Sequence, residues 1–227
     1  GERTLWEGKH ILMRPLSNEE YAAANNMEVN EVENKFNTIR NKLLEARSDR
    51  VAPGLDDKAL TSWNAMMQIA LLDAYEVFGD ELMLKGALFN SKWMLEQQLT
   101  ADGKLFHTYK DGVSSIDGFL EDYAFMTQAA IALYKTSGNK IFLEDALAFN
   151  TIVLKEFKDD ASPFFTFTKD PTLFTKIVGV DDNVIPSANA VMAENLWILG
   201  QWTGEESYSK QAQEMLQGVL PYFSEGR

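Results

Sequence analysis

The chain has 227 residues, 45% of them hydrophobic and 24% charged, with a net charge of −13 and no cysteine. This is enough chain for one large domain or two small ones. The negative balance argues against nucleic acid and anionic membrane partners. The missing cysteines exclude disulfides, thiolate metal sites and cysteine nucleophiles, and fit a reducing, cytoplasmic setting. No apolar run reaches the roughly 20 residues needed to cross a bilayer, and Gly1-Glu2-Arg3-Thr4 does not read as a signal peptide.

Residues 5–13 read as a short extended segment. Ser17-Asn18-Glu19-Glu20 is a helix start, with Ser17 as the cap and acids in the first turn. A second helix over 29–47 sets Val32, Phe36, Ile39, Leu43 and Leu44 on one face, before Pro53-Gly54 breaks the chain. Three helical pairs follow. The first covers 58–78 and 80–99, with Leu60, Trp63, Met67, Ala70, Leu71, Ala74 and Phe78 at helical spacing. The second covers 119–136 and 139–157, the third 187–202 and 205–218. Within each pair the turn is very short and centred on Gly79, Gly138 or Gly204, which forces antiparallel neighbours. Between pairs, 103–112 alternates and ends in Asp111-Gly112, predicting a small β-hairpin, and 162–168 reads as its equivalent strand.

A polar cluster heads the first helix of each pair. Asp57, Asp117 and Asn183 occupy equivalent positions 60 and 66 residues apart, as do Trp63, Tyr123 and Asn189. This is a helical-hairpin repeat with its polar groups at one end. The expected fold is mainly α, antiparallel hairpins in a partial α/α toroid with short β-hairpins between repeats. It is read as one domain over 1–227, with hairpins at 58–99, 119–157 and 187–218 after a helical segment at 17–47.

Four ordered motifs carry a family resemblance. They are Leu55-Asp56-Asp57-Lys58-x-Leu60-Thr61-x-Trp63-Asn64, His107-x-Tyr109-Lys110, Gly118-Phe119-Leu120-Glu121-Asp122-Tyr123-Ala124 and Asp182-Asn183-x-x-Pro186-Ser187-x-Asn189. They resemble the family of spermatogenesis-associated protein 20 and its bacterial YyaL-like relatives, with Ala65 and Ala188 where relatives often have glycine. The resemblance implies a helical domain of the six-hairpin glycosidase and N-acylglucosamine 2-epimerase type, following a thioredoxin-like domain. It therefore implies a carbohydrate-related enzyme by fold analogy. With three hairpins visible where a closed toroid needs six, the chain is expected to be a fragment. Its expected partners are the thioredoxin-like domain and remaining hairpins of a parent protein, a carbohydrate or other small ligand, and a second copy through exposed edge helices.

The catalytic candidates are Asp57, Glu121, Asp122 and His107. Glycoside hydrolysis needs two carboxyls about 5–5.5 Å apart for retention or 6.5–9.5 Å for inversion. The pair expected to meet is Asp57 with Glu121 or Asp122, with Asp182 in reserve. The competing reading is a helix cap for Asp56 or Asp57 and a solvated first turn for Glu121 and Asp122. His107 is a base candidate, and one histidine serves one face of a carbon, not two. The substrate-binding candidates are Asp56, Lys58, Trp63, Asn64, Tyr109, Lys110, Tyr123, Asp182, Asn183, Ser187 and Asn189. Trp63, Tyr123, Phe106 and Phe165 make either a sugar-stacking platform or core. With no His-x-x-x-His, cysteine or calcium-loop spacing, no metal is expected. Without a phosphate-cradling glycine loop, no cofactor is expected either.

Overall fold

The computed structural model describes residues 5–6, 8–170, 172 and 174–224. Where one domain over 1–227 is expected, the chain packs as two compact units, 1–56 and 57–227. The first unit holds β1 (Leu5–Trp6) paired antiparallel with β2 (Lys9–His10), then α1 (Asn18–Asn25) and α2 (Val29–Ser48). Ser17 caps α1 in a reciprocal capping box with Glu20, which satisfies two of the backbone donors orphaned at a helix start.

The second unit is built from three antiparallel hairpins: α3 (Thr61–Phe78) with α4 (Glu81–Gln97), α5 (Leu120–Ser137) with α6 (Lys140–Glu156), and α7 (Ala188–Thr203) with α8 (Glu206–Ser224). The first helix of each pair ends on a glycine in the left-handed region, at φ 67° for Gly79, 69° for Gly138 and 75° for Gly204. Glycine enters that region without the Cβ penalty, so the chain reverses at once into α4, α6 and α8. The helices α3, α5 and α7 pack side by side, each against its own partner on the other side. The core sits between them. Ala65, Met94, Tyr123, Phe149, Phe157, Phe165, Met192 and Leu196 are buried there.

The central helix α5 buries the most, including Leu120, Asp122, Tyr123, Ala124, Phe125 and Thr127. On α3 the outcome differs from the sequence reading. Thr61, Ser62, Ala65, Gln68 and Leu72 face inward, while Trp63, Met67 and Phe78 are 54%, 59% and 79% exposed. Small and polar residues let α3 approach α5 closely, and the apolar stripe read as core lies on an open edge.

A three-stranded antiparallel sheet closes one end: β3 (Ala59–Leu60), β4 (Phe106–Lys110) and β5 (Val113–Asp117), with the expected turn at Asp111-Gly112. The strand expected over 162–168 is reduced to one bridge, Lys158 with Phe165, because the Asn189 side chain occupies the backbone of Phe165 instead.

Candidate functional site

The polar end of α5 is fixed by close backbone approach. A Cβ on Gly118 would lie 2.8 Å from the Leu105 carbonyl oxygen, and the Gly118 N–H donates to that same oxygen at 2.8 Å. Glycine is the residue that permits this contact. The start of α5 is thereby held against β4, and His107 meets Asp122.

Asp122 is fully buried and accepts three hydrogen bonds. Its Oδ1 takes the Ser62 N–H at 3.0 Å, and its Oδ2 takes the Phe119 N–H and His107 Nδ1–H, each at 2.9 Å. The carboxylate therefore serves the first turns of two neighbouring helices. Leu60 stands at the N-cap of α3 and offers no side-chain bond, so Asp122 supplies that cap from α5. A carboxylate only accepts, so the shared proton lies on Nδ1, and the lone pair of the neutral imidazole is on Nε2. The hydrogen bond to Asp122 raises the His107 pKa above its ordinary value against the opposing pull of burial. The charge of Lys58 also acts against that rise.

Glu121, the next residue, accepts from the Ser62 hydroxyl at 3.3 Å. Burial raises its pKa first, and the neighbouring Asp122 charge adds to the rise. The half-buried ring of Phe119 lies 4.7 Å from the imidazole and stacks on Phe167 at 4.8 Å. Among the described residues, His107, Glu121 and Asp122 place one donor atom each within 4.8 Å of one another, a spacing compatible with a divalent cation. The three come from β4 and α5 together, which is why no linear spacing announces them. The three bonds already held by Asp122 compete with such an ion.

The other expected residues are placed differently. Asp57 does not join the carboxylate cluster as a free group: it pairs with Lys110 at 2.5 Å on the surface. That pairing lowers the Asp57 pKa, through the Lys110 hydrogen bond first. Asp117 pairs with Lys169 at 3.6 Å. Asp56, Lys58 and Asn183 are exposed, and the Asn183 N–H donates to the Ile185 carbonyl at 3.1 Å. Asn64 donates to the Leu60 carbonyl at 2.9 Å within its own helix start, and Tyr109 packs edge-on to Trp93.

Tyr123 and Phe165 are fully buried and Phe106 is half-buried, so only Trp63 of the expected platform is exposed. The Tyr123 hydroxyl accepts the Leu105 N–H at 3.0 Å, which satisfies its one polar atom inside the core. Asn189 is buried and bonds the Phe165 backbone in both directions, at 2.8 and 3.0 Å, and the Gly179 carbonyl at 2.9 Å. Its amide acts as a short strand that ties the preceding loop to α7. Ser187 caps α7 and takes the support of Asp182, whose carboxylate accepts the Ser187 N–H at 2.8 Å. Sequence reasoning missed Ser62, Phe119 and Phe167. The one signal for the first two was their place beside or inside the quoted motifs.

The hairpin architecture is that of six-hairpin glycosidase-like α/α toroids. The GH76 α-mannanase of Bacteroides thetaiotaomicron matches 73% of this chain and 45% of its own at 18% identity, with a TM-score of 0.56. Cellobiose 2-epimerase of Bacillus thermoamylovorans matches 70% of this chain and 44% of its own at 14% identity, with a TM-score of 0.59. A D-mannose isomerase matches 71% and 40% at 12% identity, with a TM-score of 0.56. In sequence, the chain is similar to a segment of spermatogenesis-associated protein 20. It is 29% identical to the human protein over 215 residues, 89% of this chain, and 31% identical to the rat protein over 214 residues. It spans 27% of the length of both. No family model matches the chain. Among the described residues no helix is long and apolar enough to cross a membrane.

Proposed function

We propose that this chain carries a carbohydrate-active site of the isomerase kind, in which His107 moves a proton between adjacent carbons of a small sugar. The observation that carries the reading is the buried Asp122–His107 pair. It holds the imidazole by Nδ1 and leaves the Nε2 lone pair as the base. Nε2 takes the C–H proton next to the sugar carbonyl, and the electron pair left behind forms an enediol. The imidazolium, stabilised by Asp122, exchanges its proton with solvent in part of the turnovers and delivers a proton to the neighbouring carbon on the same face. Glu121 is half-buried with a raised pKa, and supplies the proton that the carbonyl oxygen gains and later recovers it from the hydroxyl. One base suffices for this transfer, and the described residues offer one histidine at this face.

The sugar class rests on likeness to folds whose members include a mannanase, an epimerase and a mannose isomerase. Hydrolysis has less support, since Asp122 is occupied by three donors and Asp57 by Lys110. The test is deuterium incorporation at C2 from D₂O across a panel of aldoses and ketoses, read by NMR. The chain, and a longer protein containing it, are expected to incorporate label, and His107→Asn to lose it while remaining folded. No incorporation in either across the panel refutes the reading.

A second reading, a binding or scaffold module without turnover, is favoured by how many motif residues serve the fold: Tyr123, Ser187 and Asn189 are all engaged within it. It expects sugar binding by calorimetry with no label uptake.

A further inference from the structure

Ser62 touches both acids of the site from the neighbouring helix. It stands in the first turn of α3 and is fully buried. Its backbone N–H donates to Asp122 Oδ1 at 3.0 Å, and its hydroxyl donates to Glu121 Oε1 at 3.3 Å. Glu121 and Asp122 are consecutive on α5, so their side chains leave the helix about 100° apart. One residue of α3 holds both, the inner acid by its backbone and the outer one by its side chain.

The fold accounts for the first of these bonds and not for the second. The N–H bond caps α3, and any residue but proline at position 62 would supply it. The hydroxyl is not part of that cap. Repeat spacing sets Ser62 and Asp122 60 residues apart, and Asp122 and Ala188 66 apart. At the third of these places α7 starts with alanine and takes its cap from Ser187. A hydroxyl is therefore no standing need of this position in a helix start.

The chemistry gives it a use. Glu121 has to hand one proton to the sugar carbonyl oxygen and recover one from the neighbouring hydroxyl. A protonated carboxyl has one oxygen that donates and one that only accepts. Oε1 already accepts from Ser62, so the proton belongs on Oε2. One oxygen is pinned, and the other is left to serve both sugar oxygens in turn. After the first transfer the same bond stabilises the carboxylate. We propose that Ser62 is a positioning residue of the proton-transfer site, fixing Glu121 by Oε1 so that Oε2 exchanges the oxygen-bound protons of the sugar. Asp122 does the same for His107, by deciding which nitrogen carries the proton. The proposal rests on the isomerase reading and adds a residue to it.

The test is the rate of label uptake at C2, in the chain or in a longer protein containing it. Ser62→Ala keeps the N–H to Asp122, so unchanged circular dichroism is expected. Its kcat is expected to fall about tenfold, or about 1.4 kcal/mol of barrier, with KM unchanged. A loss that acts through Glu121 disappears once Glu121 is out of reach. Glu121→Asp keeps an acid but is one methylene too short for the 3.3 Å bond. In that background Ser62→Ala is expected to cost nothing further, whereas general damage to α3 would cost the same factor again. A native kcat in Ser62→Ala, or a further tenfold loss in the Glu121→Asp background, overturns the proposal and leaves the isomerase reading standing. A native protein that takes up no label refutes that reading, and the role of Ser62 falls with it.

Discussion

Replacing Asp122 removes one acceptor and orphans three donors at once. Asp122→Ala leaves the Ser62 and Phe119 N–H groups and His107 Nδ1 without partners inside a water-poor site. Bonds to a charged acceptor are worth about 1.5–3 kcal/mol each, and breaking a buried ionic pair by removing one partner costs about 3–5 kcal/mol. These costs overlap, so the expected loss is about 4–6 kcal/mol. That is a large part of the roughly 5–15 kcal/mol that holds a domain together. Asp122→Asn keeps the shape. Its single carbonyl oxygen can stand at Oδ2 and keep Phe119 and His107, which sets its NH₂ against the Ser62 N–H. Turned over, it keeps Ser62 and orphans Phe119. Either way one backbone donor is lost, for about 2–3 kcal/mol. Urea denaturation followed by tryptophan fluorescence reads this, since four of the five tryptophans (Trp63, Trp93, Trp197 and Trp202) lie in the larger unit. The midpoints should rank native, then Asn, then Ala. A loss below about 1 kcal/mol for the alanine variant would refute the role of Asp122 as a shared cap, because that is less than one charged hydrogen bond.

Three further outcomes are expected. The raised His107 pKa means that its pairing with Asp122 adds stability that is fully present below the ordinary histidine value near 6.5 and fades as pH rises through the folded value. Native protein should therefore lose more of its urea midpoint than His107→Asn between pH 6 and 9, and the His107 ring should titrate above 6.5 by NMR. Gly118→Ala drives a methyl group to 2.8 Å from a backbone oxygen that cannot rotate away, so a loss of about 1–3 kcal/mol is expected by thermal unfolding. Asn189→Ala deletes three bonds from a buried amide and should cost about 2–4 kcal/mol. Hydrogen exchange should report the damage first at Phe165.

Local chemistry made the helices legible. The C-terminal glycines, the short turns and the Ser17 cap act within a few residues, and the structure places them where the sequence does. Helix starts were harder to read. Asp57 and Asp117 look like caps by position but pair with Lys110 and Lys169, while the cap of α3 arrives from Asp122, 60 residues further on. No window of sequence contains that bond. The buried side of α3 was misread for a related reason. Periodicity finds the apolar face of a helix, and Trp63 and Met67 do share one, but that face lies at the edge of the unit. For the candidate site, His107, Glu121 and Asp122 stand out as residue types, and their meeting depends on β4 lying against the start of α5. The Gly118 contact with Leu105 produces that arrangement.

The threefold engagement of Asp122 bears on how relatives of this chain are compared. One oxygen pair joins two repeats and aims an imidazole, so selection for a folded domain retains that aspartate whether or not any sugar is turned over. Its presence in another sequence is silent about chemistry. His107 and Glu121 carry far less of the structure, and a relative that keeps Asp122 but has lost both has kept the joint and discarded the tool.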